Sequence, residues 1–303
     1  MLQIGSNVPR PSLFRFENFW LQHPSFLETV SLHWHYSPFF GNTARNLSSR
    51  LKHARAGLKL WSKNLSSLSK LTYNCKWVLL LLDGLEDQQN LSRMERNFRI
   101  LVKRHLSELL ESRRTYWKQR SKMRWVMLGD ENTELFHSIA TISHKRNFIV
   151  SLSDNDGNQI SDHDQKANLL WSSFKDRLGT SEFSSMSFDL GSILDSHDLD
   201  HLGNDFSQEE IDLVIRSLPT NHAPGPDGFN GLFIKKCWPI IQEDFTRLLK
   251  DFSSNNVDIS SINSSFIALI PKKDNPEKFD DFRPISLLNY SLKCITKILS
   301  NRL

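Results

Sequence analysis

The chain has 303 residues, enough for two or more packed units, with 39% hydrophobic and 24% charged residues and a formal net charge of +4. So small an excess excludes a polycation, and any nucleic-acid role has to come from local patches. Cys75, Cys237 and Cys294 form no Cys-x-x-Cys, which fits a reducing compartment and argues against a disulfide framework or a zinc site. The longest apolar run, Trp77 to Leu82, is too short to span a bilayer. The residues after Met1 lack the basic start and apolar core of a signal peptide, so the expected location is intracellular, nuclear or cytoplasmic.

Residues 1 to 40 are rich in prolines and aromatics, among them Phe14, Phe16, Phe19, Trp20, Trp34, Phe39 and Phe40. His33-x-His35 has a ligand-like spacing, but no third ligand is near and the aromatic neighbours favour packing. From Ala44 to Leu71, Leu47, Leu51, Ala54, Leu58, Trp61, Leu65 and Leu68 recur in steps of four and three, a heptad seam. A second helical pattern follows with Leu91, Met94, Phe98, Leu101 and Leu109. Two seams separated by a short polar break predict an antiparallel helical hairpin, a scaffold arm rather than a dimeric coiled coil.

The most basic region runs from Arg93 to Arg124. Arg113, Arg114, Lys118, Arg120, Lys122 and Arg124 are interleaved there with Tyr116, Trp117 and Trp125. Cations that neutralise phosphates, mixed with flat rings, suit single-stranded nucleic acid. Lys145 and Arg146 add a second basic spot before an expected strand, Phe148 to Leu152. Asp154-Asn155-Asp156-Gly157-Asn158 reads as a hairpin turn and not a calcium loop, because no acid closes it at the twelfth position. An amphipathic helix with Ala167, Leu170, Trp171 and Phe174 follows, then a Ser/Asp-rich loop from Gly179 to Gly203.

Ser207-Gln208-Glu209-Glu210 is a capping box opening a helix with Ile211, Val214, Ile215 and Leu218. In Ala223-Pro224-Gly225-Pro226-Asp227-Gly228 two prolines withhold N–H donors and the glycines supply positive φ, which forces a tight turn. A helix with Phe233, Cys237, Ile241, Phe245 and Leu248 as its core face comes next, and Pro239 is expected to kink or split it. Phe266 to Ile270 reads as a buried strand ending in Pro271-Lys272-Lys273. Arg283, standing before Pro284, is forced into extended backbone. A last helix runs from Leu292 to Leu303.

The turn, the helix after it, Ile270-Pro271-Lys272, Arg283-Pro284-Ile285-Ser286-Leu287 and the closing Asn301-Arg302-Leu303 stand in an order and spacing that resemble the fingers of non-LTR (LINE-type) retrotransposon reverse transcriptases, with the pattern of plant elements. Trp125 to His137 resembles the linker of those elements, and Phe14-Arg15-Phe16-Glu17-Asn18-Phe19-Trp20 resembles the end of their endonuclease domain.

The resemblance implies a mainly α (α+β) chain: a helical hairpin arm and linker, then a partial fingers subdomain with a few short strands. It divides the chain into an endonuclease remnant (1–40), a basic helical linker or arm (41–147), a hairpin, helix and loop (148–205) and the partial fingers (206–303). Lys272 and Arg283 match residues that grip the triphosphate of the incoming nucleotide, a charge-stabilising role suited to phosphoryl transfer. The partners implied are an RNA template and a DNA primer, held in part by Arg113 to Arg146, with no membrane and no small-molecule cofactor. Intact relatives use Mg²⁺, held by palm carboxylates. Such residues are expected to lie past Leu303, so no catalytic or metal-binding residue is assigned and no activity is expected of the chain alone. Phe279-Asp280-Asp281 lacks the residue that an aromatic-x-Asp-Asp turn needs, and Ser161-Asp162-His163 reads as a helix-capping loop. Two further expectations follow: the remnant should bare apolar surface, and the last helix should be poorly covered. The alternative reading is a non-catalytic helical module that binds RNA or protein.

Overall fold

The computed structural model describes residues 13–36, 39–65, 67–121, 133–154, 156–179 and 203–303. The chain is mainly helical, with a few short antiparallel strands. No described helix is long and apolar enough to cross a membrane.

A single turn of 3₁₀ helix (Asn18–Gln22) leads into α1 (Phe26–His35) and α2 (Thr43–Lys63). Asn42 caps α2 by accepting the Arg45 N–H at 2.8 Å. Then come α3 (Leu68–Glu86), α4 (Arg93–Ser121) and α5 (Thr133–Asn147). β1 (Leu152–Ser153) and β2 (Gln159–Ile160) form a small hairpin with Leu152 opposite Ile160. The Asp154 carboxylate ties its turn by accepting the Asp156 and Asn158 N–H groups, as the sequence predicts. The expected strand is shorter than read: Phe148 to Ser151 are not in it.

Next are α6 (His163–Leu178), capped by Asp162, and α7 (Gln208–Ser217), whose Ser207/Glu210 capping box forms as expected. α8 (Gly231–Ser253) is followed by β3 (Ser265–Pro271), β4 (Phe282–Leu288) and α9 (Tyr290–Arg302).

The core is built around α8. Phe233, Cys237, Ile241, Phe245 and Leu248 have no exposed surface, and α1, α2, α7 and α9 close over them. The helix runs through Pro239 without interruption, so the expected split does not occur. Its one buried acid, Asp244, is doubly held: Trp34 Nε1 donates to Oδ2 at 2.9 Å and Arg50 pairs with the same oxygen at 3.0 Å.

One expectation holds in part and two are corrected. The aromatic amino-terminal segment keeps Leu32, Tyr36 and Phe39 exposed, but Phe16, Trp20, Phe26 and Trp34 are buried in the α8 core. The last helix is covered too, since Cys294, Ile295 and Ile298 pack into the same core. The helical hairpin exists, but its members are α3 and α4, fastened where Arg99 bridges Asp83 and Glu86 at 2.8 and 2.6 Å. α2 instead packs on α1 and α8. Gly57 makes that packing possible, because a Cβ there would collide with the His33 ring. The His33-x-His35 pair is thus structural, with His35 Nδ1 facing the Ser31 carbonyl at 2.8 Å.

Candidate nucleic-acid interface

β3 and β4 form a two-stranded antiparallel ribbon in which Ile270 lies opposite Arg283 and Pro271 opposite Phe282. The pairing extends one step further, since the Lys272 N–H donates to the Asp281 carbonyl at 2.7 Å. Side chains alternate faces along a strand, so Lys272 and Arg283 share one face as diagonal neighbours. Arg283 is exposed, and its guanidinium has no hydrogen-bond or ion-pair partner among the described residues. Lys272 Nζ donates to the Asp280 carbonyl at 2.8 Å.

Asp280 and Asp281 serve the turn that leads into Arg283. Asp281 accepts the Glu277 and Lys278 N–H groups and pairs with Lys273 at 3.0 Å. Those backbone donors, and then Lys273, hold its carboxyl well below the usual range, at about 2. Asp280 pairs with Arg177. The strand β3 is not buried as the apolar run suggests, for Phe266, Ile267 and Ile270 all keep substantial exposure.

The Ala223–Gly228 turn anchors the ribbon to the core. Gly228 has φ +84° and its N–H donates to the Gly225 carbonyl at 3.0 Å. A Cβ on Gly228 would strike the Phe14 carbonyl, and one on Gly225 would strike the Asn289 backbone. Four residues from three segments grip the turn. Phe16 N–H donates to Gly228 O at 2.9 Å, Arg55 to Pro226 O at 3.2 Å and Lys293 to Ala223 O at 3.3 Å, while Asn289 Oδ1 accepts the Asp227 N–H at 3.0 Å. Burial pushes the Asp227 carboxyl up to about 6, against the pull of Phe229 N–H, Lys293 and Arg55. None of these long-range partners announces itself by local spacing.

The basic segment is divided in its use. Arg120 clasps Glu17 with both guanidinium arms, at 2.8 and 2.6 Å, and lies 3.4 Å over the Tyr116 ring. Tyr116 also packs edge-on against Phe19, so this part of α4 fastens the amino-terminal segment. Arg114 pairs with Glu111 at 3.4 Å. Arg113 is half-buried, and Lys118 is exposed. Lys145 and Arg146 end α5 and are exposed. Lys122, Arg124 and Trp125 lie outside the described residues, as do the Pro9-Arg10-Pro11 stretch, most of the Trp125–His137 motif and most of the Gly179–Gly203 loop.

Arg302, from the closing Asn-Arg-Leu, is also engaged within the fold. It forms a two-armed pair with Glu210 at 2.7 and 2.8 Å, joining α9 to α7, and that pair holds Glu210 at about 2. Among the described residues no group of three or more His, Cys, Asp or Glu side chains is arranged to hold a metal ion.

No family model matches the chain. It is similar to the Transposon TX1 uncharacterized 149 kDa protein of Xenopus laevis, with 22% identity over 310 aligned positions. That match covers 100% of this chain and 24% of the frog protein, so the chain spans about a quarter of its relative's length. The chain is transposon-related.

Proposed function

We propose that the chain is part of a non-LTR retrotransposon reverse transcriptase: the closing segment of an endonuclease domain, a basic helical linker and the polymerase fingers. In this reading Lys272 and Arg283 grip the triphosphate of an incoming nucleotide, while Arg113, Lys118, Lys145 and Arg146 contact template RNA. Arg120 holds the linker to the amino-terminal segment. The supporting observation is the ribbon register, which sets Arg283 opposite Ile270 and on the same face as Lys272, with no partner for the arginine fork among the described residues. A planar fork and a point charge on one exposed face suit a polyphosphate. Catalysis is not assigned to any residue of this chain. The whole enzyme's RNA-copying activity, its RNA and DNA partners and its Mg²⁺ belong to the proposal.

The test is equilibrium binding of a deoxynucleoside triphosphate to the full chain, followed by fluorescence. Arg283→Ala should weaken binding about tenfold or more, and Lys272→Ala by less, as expected for losing charge-assisted contacts. Unchanged affinity in both variants removes the fingers assignment.

A further inference from the structure

The second feature of note is a cleft between α2, the Pro-Gly turn and the start of α9, with a volume of about 170 Å³. Its lining includes Ser48, Lys52, Arg55, Asp227, Asn289 and Ser291. We propose that this cleft binds a phosphate group, held by Lys52, Arg55, the first-turn N–H groups of α9 and the Ser291 hydroxyl.

Two independent observations meet there. Asn289 stands at the N-cap of α9, but its side chain caps nothing in the helix. It is spent elsewhere, with Oδ1 on the Asp227 N–H and Nδ2 donating to the Ile262 carbonyl at 3.2 Å. The leading N–H groups of a 13-residue helix are therefore left without a side-chain cap. Ser291, the second residue of that helix, is 1% exposed, and its hydroxyl has no hydrogen-bond partner among the described residues. A buried hydroxyl left unsatisfied is costly, and an anion in the cleft would satisfy it.

Charge points the same way. Lys52 is exposed and has no ion-pair partner among the described residues, and Arg55 uses one arm on Pro226 O. Asp227 is the one acid in the lining, with Oδ1 accepting the Phe229 N–H at 2.9 Å. The volume is below the roughly 300–1,000 Å³ of sites that enclose drug-sized ligands, which fits a phosphate better than a whole nucleotide. The phosphate is either free or part of a nucleic-acid backbone. This site involves neither Lys272 nor Arg283 and does not depend on the fingers reading.

The experiment titrates the full chain at fixed ionic strength with inorganic phosphate and, separately, with a short single-stranded oligoribonucleotide, reading the melting temperature. Stabilisation is expected in the parent chain and in Lys272→Ala. Lys52→Glu should weaken binding about tenfold, and Ser291→Ala about threefold or more. Ser291→Ala should melt at or above the parent when no ligand is present, because it removes a buried hydroxyl that has no partner among the described residues. A response to the oligoribonucleotide alone, removed by the same two substitutions, assigns the site to a nucleic-acid backbone. A response to phosphate alone with that sensitivity assigns it to the free anion. No response to either ligand, a response unchanged by both substitutions, or one removed by Lys272→Ala overturns the proposal.

Discussion

Around α8, Phe233, Cys237 and Ile241 have no exposed surface, whereas on the α3–α4 hairpin Trp77, Leu80 and Phe98 are 52%, 69% and 51% exposed. The two regions are comparably apolar in sequence. They differ in what reaches them: α8 is met by helices from both ends of the chain, while α3 packs mainly on α4, and α4 meets besides it α5 and the amino-terminal 3₁₀ turn. Apolar content alone does not produce burial, and the supply of partners distant in sequence decides it. The β3–β4 ribbon stands with the hairpin in this respect, apolar on paper and exposed in space.

Substitutions should separate the two regions sharply. The largest loss is expected for Phe233→Ala, about 3–5 kcal/mol by denaturant unfolding, because it empties a fully enclosed site in the common core. Asp244→Ala follows at about 3 kcal/mol, since it strands the buried Trp34 N–H and the half-buried Arg50 together. Gly228→Ala should cost about 2 kcal/mol, combining a positive φ with the approach of the Phe14 carbonyl. Phe98→Ser on the hairpin should stay within about 0.5 kcal/mol. A loss on the hairpin as large as that at Phe233 would break the comparison.

The smallest effects are in pH, and here the two carboxylates oppose each other. Glu210 falls from an ordinary 4.5 to about 2 in the fold, so its contribution is present above pH 4.5 and is lost as pH drops through about 2. Asp227 rises from 3.8 to about 6, so the folded state binds the extra proton and stability falls as pH climbs between those values. Arg302→Gln should flatten the acid limb of the melting profile, and Asp227→Asn should remove the decline toward pH 6. Parallel profiles for parent and variants would show that neither group is coupled to folding.

Much of the local structure was legible in the residues themselves. The Ser207/Glu210 box, the Asp154 turn, the five-residue core face of α8 and the extended backbone at Arg283 each follow from contacts within a few positions. What escaped needed a partner far away. The heptad reading ran α2 on to Leu71 and missed α3, because that helix is apolar nearly all round and shows no clean stripe. Arg120 looked like a surface cation until Glu17, 103 residues earlier, was placed beside it. The ribbon residues Lys272 and Arg283 were legible as a pair only through the motif order. Their shared face comes from register, which no spacing between them encodes.

The bond from Trp34 to Asp244 spans 210 residues. At a synthesis rate of about 5–20 residues per second, the first sixty residues wait some 10–40 s on the ribosome before α8 emerges to receive them. Phe16, Trp20, Phe26 and Trp34 lack their α8 partners throughout that interval, which makes this segment a natural client for a holding chaperone.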